Sequence, residues 1–482
     1  MVEPCWIRFE QLETPKPGLS LQPEKPKGSH RKNLALAVTT LAVILLVLVS
    51  LQLIPHTVTV DKTPTLGVKV SSTIDWQGLA WGETRKLASD GKGTIYLAYR
   101  TQVPGMVGYK VFVDFSTDNG LTWSHLGGGP IDTKTPGTQM QRVPAISVGS
   151  NDVVQVVWNE VPNDQSGDRQ IWYSRWIAGN SQSLAGHWST PRNIPVYING
   201  YNNQIPDPNH WQEHPDILVD RLNSSRVYVV WEGTDPSNFP GGNCSSSNCN
   251  TPMFTESEDG GVHWSNYTKV VPPNGEVHSR PAIIEDSNGV LYVAWYATNQ
   301  TVERNAQIGW VSSIDHGKNW SQLPQLIPET YGIDQRDPSL AADSHGKVYM
   351  VWKEKDPSSP QNQTMYSVLS GGSWSKPVRV NPDGQNQLNP TVQVDNATNV
   401  YVGWHTGGPY QWGGDPPGAY NGAQIWLAKF NGTWTAKQLT SSATNRFINL
   451  PANPMQSPSV QIAWVEGDSP HPYNIEFATL KF

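Results

Sequence analysis

The chain has 482 residues, of which 37% are hydrophobic and 16% charged, and it carries a formal charge of −7 at pH 7. Such a chain can bury a sizeable core, which excludes disorder as its main state. With no basic cluster in its repeats it also excludes a nucleic-acid backbone as partner, because phosphate binding needs concentrated Lys and Arg.

Residues 1–33 contain repeated Pro and Lys and little that packs, so a disordered cytoplasmic tail is expected there. Leu34 to Ile54 is a charge-free, mostly apolar stretch of 21 residues. At 1.5 Å per residue it is long enough to cross a bilayer core of ~30 Å, and it reads as one transmembrane signal-anchor helix. A cleaved signal peptide has a shorter apolar region and a small-residue cleavage site. Lys25, Lys27, Arg31 and Lys32 precede the span and no Lys or Arg follows before Lys62. The positive-inside rule then places the N-terminus in the cytoplasm and everything after the span outside, in a single-pass cell-membrane protein. Residues 55–65 are a linker, and 66–482 form the extracellular domain.

That domain is a repeat, which redefines the fold before any other reading. A segment with Pro, alternating apolar residues, an Asp/Gly turn and then a run such as Val-Tyr-Val-x-Trp recurs along it. The copies run from Arg142 to Trp158, Pro215 to Trp231, Pro281 to Trp295, Pro338 to Trp352 and Pro390 to Trp404, with weaker ones from Arg85 to Tyr99 and Ser457 to Trp464. The anchors Tyr99, Trp158, Trp231, Trp295, Trp352, Trp404 and Trp464 are 59, 73, 64, 57, 52 and 60 residues apart. Within each unit, runs of four to six β-branched and aromatic residues alternate with polar ones between Gly/Asn/Asp/Ser turns, and no long amphipathic helix intervenes. Four antiparallel strands per unit, radially repeated, predict an all-β protein: a β-propeller with seven blades, or six if one terminal unit is an appendage. The last unit is one strand short, and Leu66–Ser72 is expected to supply it and close the ring without an open edge.

Three turns share one pattern: Ser116-x-Asp118-x-Gly120-x-Thr122-Trp123, Ser257-x-Asp259-x-Gly261-x-x-Trp264 and Ser313-x-Asp315-x-Gly317-x-Asn319-Trp320. The Asp accepts backbone N–H groups ahead of it, the Gly supplies positive φ and the Trp plugs apolar space, so the pattern is structural. His187-Trp188-Ser189, Gly372-Ser-Trp374 and Gly432-Thr-Trp434 are degraded equivalents. Of the 21 Trp, many fill repeat positions, while Trp76, Trp81, Trp211 and Trp412 lie in loops where aromatic faces suit sugar rings. Cys244 and Cys249 share one loop and, in an oxidising exterior, are expected to form a local disulfide; with no nearby His they make a poor metal site. Sequons at Asn223, Asn243, Asn266, Asn299, Asn319, Asn362, Asn396 and Asn431 fit a glycoprotein.

The residues just before each innermost strand meet at one mouth of the channel, the default site. They are Arg85, Arg142, Glu213 and His214, His278 and Arg280, Asp334, Arg336 and Asp337, Asn389, and Asn453. The ends of the second strands add Asn159 and Glu160, Glu232, Tyr296, Lys353 and Glu354, His405, and Glu466.

The three Asp boxes, together with Arg142-Val-Pro144-Ala145, resemble the sialidase (neuraminidase) superfamily of Asp-box, or BNR-repeat, propellers. The resemblance covers roughly Leu66 to Phe482. It implies three arginines clamping a substrate carboxylate, a task suited to the planar guanidinium fork. Arg142 matches the family's Arg-Ile-Pro motif but lies in the second unit, and Arg85 lies in the first unit without the Pro, so both stand for the first arginine. Arg280 and Arg336 stand for the other two, with His214 beside them. The family's nucleophile is a Tyr helped by a Glu, with a separate Asp as acid/base. Tyr410, or Tyr420, is the substitute for the Tyr that no residue supplies before the sixth innermost strand. Glu232 or Glu354 stands for the base, and Asp334 or Asp337 for the acid.

The resemblance thus implies an exo-glycosidase acting on terminal acidic sugars, or a propeller recognising a glycan or other acidic ligand, with no metal or organic cofactor required. A non-enzymatic protein-binding scaffold is the alternative, in which each mouth Arg is satisfied by a carboxylate such as Asp334, Glu213 or Asp337. His214, His278 and His405 also leave open a polysaccharide lyase acting on a uronic acid.

Overall fold

The computed structural model describes residues 67–481, apart from 74–77, 80–83, 104–107, 134–139, 162–168, 180–183, 195–210, 235–249, 273–275, 299–304, 322–324, 328–332, 356–357, 359–360, 382–383, 408–421, 442–443, 452–458 and 468–472. The proposed tail, span and linker, the Cys244/Cys249 pair and Tyr410 lie outside the described residues. No helix among the described residues is long and apolar enough to cross a membrane.

The described strands form seven antiparallel sheets, each one blade of a β-propeller. The innermost strands of blades 1 to 7 are Leu87–Ser89, Met140–Val148, Gln212–Val219, Val277–Glu285, Asp334–Ala342, Gln387–Val394 and Asn445–Asn449. Blade 7 combines its three C-terminal strands with Val68–Thr73 from the start of the domain, which pairs with Tyr473–Lys481 from Val68 opposite Phe477 to Thr73 opposite Tyr473. The two ends of the domain therefore close the ring as expected, and the count is seven. Each innermost strand starts at one face of the disc, the mouth face, and ends at the other, which carries the Asp boxes.

Seven apolar clusters hold the ring, each shared by two adjacent blades; one joins Ala145 and Tyr173 of blade 2 to Ile217 and Trp231 of blade 3. Alternation along each second strand sends one residue into the core shared with the preceding blade and the next into the core shared with the following blade, as Val227, Val229 and Trp231 on one face and Tyr228 and Val230 on the other do. The anchors Trp158, Trp231, Trp295, Trp352, Trp404, Trp464 and Tyr99 are fully buried. This fits the four-residue runs of Val, Tyr and Trp that mark each unit in the sequence.

The Asp boxes are built as their residues require. Ser313 Oγ donates to Asp315 and accepts from Gly317 N–H at 2.8 Å, and Asp315 accepts from Asn319 N–H at 2.9 Å. Each box docks on the preceding blade: Trp123 packs edge-on against Phe477, Trp264 against Tyr173 and Trp320 against Phe254, at 5.0–5.2 Å. Trp374 and Trp434, in the degraded copies, meet Trp310 and Tyr366 in the same way. Gly317 sits at φ +85° with the Phe254 ring 2.3 Å from where a Cβ would lie. Gly317→Ala is therefore expected to cost roughly 2–5 kcal/mol from backbone strain plus overpacking, measurable as a lowered denaturant midpoint; a loss under about 0.5 kcal/mol would show that the box does not hold the blades. Sequon side chains are used internally too: Asn319 Nδ2 donates to Asp315, Asn362 Nδ2 to Asn386, and Asn223 Oδ1 accepts the N–H of Ser225.

Candidate functional site at the channel mouth

Five innermost strands carry a Pro near their start, as their fourth or fifth residue, and a register shift at the residue before it leaves one extra residue against the second strand. Such a bulge re-aims a side chain. The bulge residues Val143, His214, Arg280, Asp337 and Asn389, and Phe447 at the matching place in blade 7, all take positive φ of 47–58°. This is a strained conformation for a non-glycine residue, at order 1–3 kcal/mol each, and such strain concentrates at functional sites. The ring of bulges meets a second ring made by the residue after each anchor: Arg100, Asn159, Glu232, Tyr296, Lys353, His405 and Val465, all buried.

Over blades 3 to 5 the two rings form one charged network. His214 Nδ1 lies 2.9 Å from Glu232 Oε1, and the backbone N–H of Arg280 donates to Glu232 Oε2 at 2.7 Å. The Arg280 guanidinium donates to Asp337 Oδ1, and Lys353 Nζ donates to Asp337 Oδ2 at 2.8 Å. Burial works to raise the pKa of Glu232, but His214, the Arg280 amide and the Arg280 charge outweigh it and hold the carboxyl below its ordinary value. The contact with Glu232 orients the His214 ring at the mouth.

Tyr296 is 2% exposed, and its hydroxyl has no hydrogen-bond partner among the described residues. Burial is the main cause of its raised pKa, and the charges of Arg280, Glu232, Asp337 and Arg336 all act on it. The phenol therefore stays protonated at neutral pH. Arg336 covers the ring of Tyr296 at 5.3 Å and donates through Nε to both oxygens of Asp334, at 3.0–3.1 Å. Nearer solvent, Arg169 ion-pairs with Glu213 and stacks on Trp211 at 4.0 Å. Burial and the charge of Arg142 lower the Arg169 pKa to about 10.

These positions revise several sequence expectations. Arg280 is fully buried on Asp337, Arg336 is held by Asp334, and Arg85 of blade 1 reaches across the channel to Asp216 of blade 3 at 3.0 Å. The arginine tips thus do not share one void; each finds its own carboxylate, because a buried charge must be paired. Arg142 is half-buried, with its guanidinium against the Met140 sulfur. Glu354 turns away from the channel, as alternation after Lys353 requires, and accepts from Trp352 Nε1 and Gln335 Nε2. Glu160 does the same with Trp158 and Gln141. His278 occupies the place held in other blades by Gln141, Gln212, Gln335, Gln387 and Asn445; it is fully buried and edge-on to Trp295.

Tyr296 stood among the mouth residues in the sequence without a chemical role, and Arg169 was missed. The only signal for Tyr296 was its place directly after an anchor Trp, shared with Glu232 and Lys353.

Glu213, His214 and Glu232 offer ligand atoms within 4.8 Å of one another, a donor set suited to a divalent cation. Arg169 and the Arg280 amide already satisfy the two carboxylates, so such an ion would compete with them. At the other end of the channel, below the Arg85–Asp216 bar, a cavity of about 710 Å³ opens on the Asp-box face between Ser89, Ser147, Leu218, Ile284 and Gln461.

His405 Nδ1 accepts the N–H of Phe447 at 3.2 Å, so its neutral form is built into the mouth. Burial, then Arg446 and Lys353, lower its pKa to about 3. For a base with a depressed folded pKa, the stabilising contribution is present above the unfolded value near 6.5 and fades as pH falls toward 3, by about 5 kcal/mol in all. Glu285 and Glu476, both raised to about 7 by burial, act in the opposite direction over part of that window. The comparison is therefore between wild type and His405→Gln, whose amide oxygen keeps the Phe447 bond. The wild type is expected to lose more stability than the variant between pH 6.5 and 4.5 in denaturant titrations. Parallel curves would place the proton elsewhere.

Fold and mouth together define a seven-bladed Asp-box β-propeller: the repeats pointed to the count of seven, and the resemblance to the sialidase superfamily implied an Asp-box propeller. No family model matches the chain, and no curated protein matches its sequence. Among solved structures, an ulvan lyase from a new polysaccharide lyase family is 10% identical, with the match covering 86% of this chain and 96% of that one at a TM-score of 0.57. A Hadza microbial sialidase is 15% identical over 80% and 73% of the two chains, TM-score 0.46. An α-L-arabinanase from Penicillium chrysogenum is 14% identical over 70% and 92%, TM-score 0.46. The likeness to the ulvan lyase is one of fold.

Proposed function

We propose that the mouth of this propeller binds an acidic saccharide and cleaves it by proton transfer, with the carboxylate of a uronate-type sugar on Arg336 and a sugar face against the Arg169–Trp211 rim. The observation that carries this reading is the Tyr296 hydroxyl: buried, without a partner among the described residues and set among Arg280, Arg336 and Glu232. An unsatisfied buried hydroxyl costs stability and calls for a role. Arg336 meets Asp334 through Nε alone, and no protein partner engages its terminal amino groups among the described residues, a fork suited to a carboxylate.

With the sugar carboxylate so neutralised, the proton on the adjacent carbon becomes acidic. His214, oriented by Glu232, takes that proton on Nε2. The electron pair forms a C=C bond, the glycosidic C–O bond breaks, and Tyr296 gives its proton to the departing oxygen. A propeller of the same fold, the ulvan lyase, is recorded bound to a saccharide containing GlcA, which supports a uronate as ligand class. The N-terminal apolar stretch would hold this activity at the outer surface of a membrane.

The separate pairing of Arg85, Arg280 and Arg336 favours a second reading, a binding platform without turnover. Purified protein is offered a panel of uronate polysaccharides, followed by the ultraviolet absorbance of the unsaturated product, beside a fluorogenic sialoside. Unsaturated product supports elimination, sialoside release alone supports the hydrolase implied by the resemblance, and saturable binding with neither product supports the platform.

A further inference from the structure

We propose that Lys110 and Asp132 condense to an intramolecular isopeptide bond that clasps blade 1 to the link leading into blade 2. Lys110 is the second residue of the third strand of blade 1, Tyr109–Ser116, and Asp132 follows the fourth strand, Ser124–His125. Lys110 Nζ stands 3.7 Å from Asp132 Oδ2, and the two side chains are only 1% and 5% exposed.

The repeat shows what is particular to blade 1. In blades 1, 4 and 5 a Gln near the head of the next innermost strand accepts a backbone N–H of the third strand: Gln141 that of Val111, Gln335 that of Ile308 and Gln387 that of Thr364. The residue before that N–H is Gln307 in blade 4 and Gln363 in blade 5, and their amides donate to link carbonyls, those of Ile333 and Gln385. In blade 1 the same place holds Lys110, an amine set against a carboxylate.

Glu160 completes the set. Its Oε2 accepts from Gln141 Nε2 at 3.0 Å, and the same nitrogen donates to Asp132 Oδ2 at 3.4 Å, so one amide joins the two carboxyl groups. Glu160 Oε1 is buried with no hydrogen-bond partner among the described residues. Burial raises its pKa, and the charges of Lys110 and Asp132 both act on it. Glu354 makes the same Trp and Gln bonds in blade 5, so those bonds are scaffold, and the Lys–Asp pair is what blade 1 adds.

The reaction needs no oxidant or cofactor. A proton passing from Nζ to Oδ2 leaves an amine and a carboxylic acid, which are less costly to bury than two ions. The Nζ lone pair attacks Cγ, an N–C bond forms and the Cγ–Oδ2 bond breaks. Glu160 takes the second Nζ proton and returns it to the departing oxygen, which leaves as water, and the third proton stays on the amide nitrogen. Condensation is unfavourable between free groups in water, but held partners act at a high effective concentration and a buried site expels the water formed. This inference is independent of the chemistry proposed for the mouth.

The test is mass spectrometry of the purified full chain, intact under denaturing conditions and after trypsin, which cuts after Arg100, Lys110 and Lys134 when these are free. The wild type is expected to weigh one water less than its sequence. It should yield residues 101–134 as one peptide, uncut after Lys110, with fragmentation placing the link between Lys110 and Asp132. Lys110→Arg, which keeps a cation beside Asp132, is expected to show its full mass. Glu160→Gln keeps an oxygen for Trp158 and Gln141 and is expected to reduce the linked form to a minor fraction. A Glu160→Gln chain linked as fully as wild type overturns the part given to Glu160. Full mass with cleavage after Lys110 overturns the bond and leaves a buried ion pair. A missing water with cleavage after Lys110 retained marks a cyclised aspartyl residue and overturns the bond as well.

Discussion

Tyr296→Phe is expected to lower turnover by about 10²- to 10⁴-fold while leaving the propeller as stable as before, or slightly more so. The two halves have one cause. The hydroxyl is buried without a partner among the described residues, so removing it breaks no hydrogen bond to them and relieves the desolvation of a polar group. The ring, which packs under Arg336, stays in place. In the proposed elimination the loss falls on kcat, because the proton would be delivered only as the leaving oxygen departs. Unfolding midpoints and initial rates on the active polysaccharide are the measurements. Undiminished turnover removes Tyr296 from the chemistry, and a destabilisation above about 1 kcal/mol shows that the hydroxyl is structural after all.

Asp337→Ala is expected to destabilise the domain by about 3–5 kcal/mol, because it strands two cations at once. Arg280 and Lys353 both end on this carboxylate, with side chains only 2% and 7% exposed. Burial opposes ionisation of Asp337, but Arg280 and Lys353 prevail and hold its carboxyl well below the usual range. An acid whose folded pKa is depressed contributes stability above its unfolded value near 3.9, and that contribution is lost as pH falls below it. The wild type should therefore show an acid-induced loss below about pH 4 that is smaller in the variant. The triple replacement Arg280→Met/Asp337→Leu/Lys353→Met, which removes the network entirely, is expected to be more stable than the single variant. Denaturant titration at neutral pH decides it: a loss under about 1 kcal/mol for Asp337→Ala would mean that the three groups are not a buried network.

The architecture was legible because a propeller writes the same local problem repeatedly. Each unit needs an anchor for the core between blades, a Gly at the box and strands of period two, so Trp158 to Trp464, Gly120, Gly261 and Gly317 recur in step. The edge problem likewise pointed to Leu66–Ser72 as the missing strand, and Val68–Thr73 takes that place. The Pro at the head of five innermost strands was visible too, but not that the residue before it turns to positive φ.

What the amino-acid order determined by itself was therefore everything set by local pattern: a propeller of six or seven four-stranded blades with seven favoured, the closing strand, the structural nature of the Asp boxes and the set of polar residues at the mouth. Tertiary structure alone decided which of those residues meet. Arg85 and Asp216 are 131 positions apart and share an ion pair across the channel, Glu232 reaches the amide of Arg280 in the next blade, and the Tyr296 hydroxyl has no partner among the described residues. Ring closure brings together residues a blade or more apart in sequence, and a buried charge takes whichever opposite charge lies within reach. Spacing along the chain carries no record of that choice.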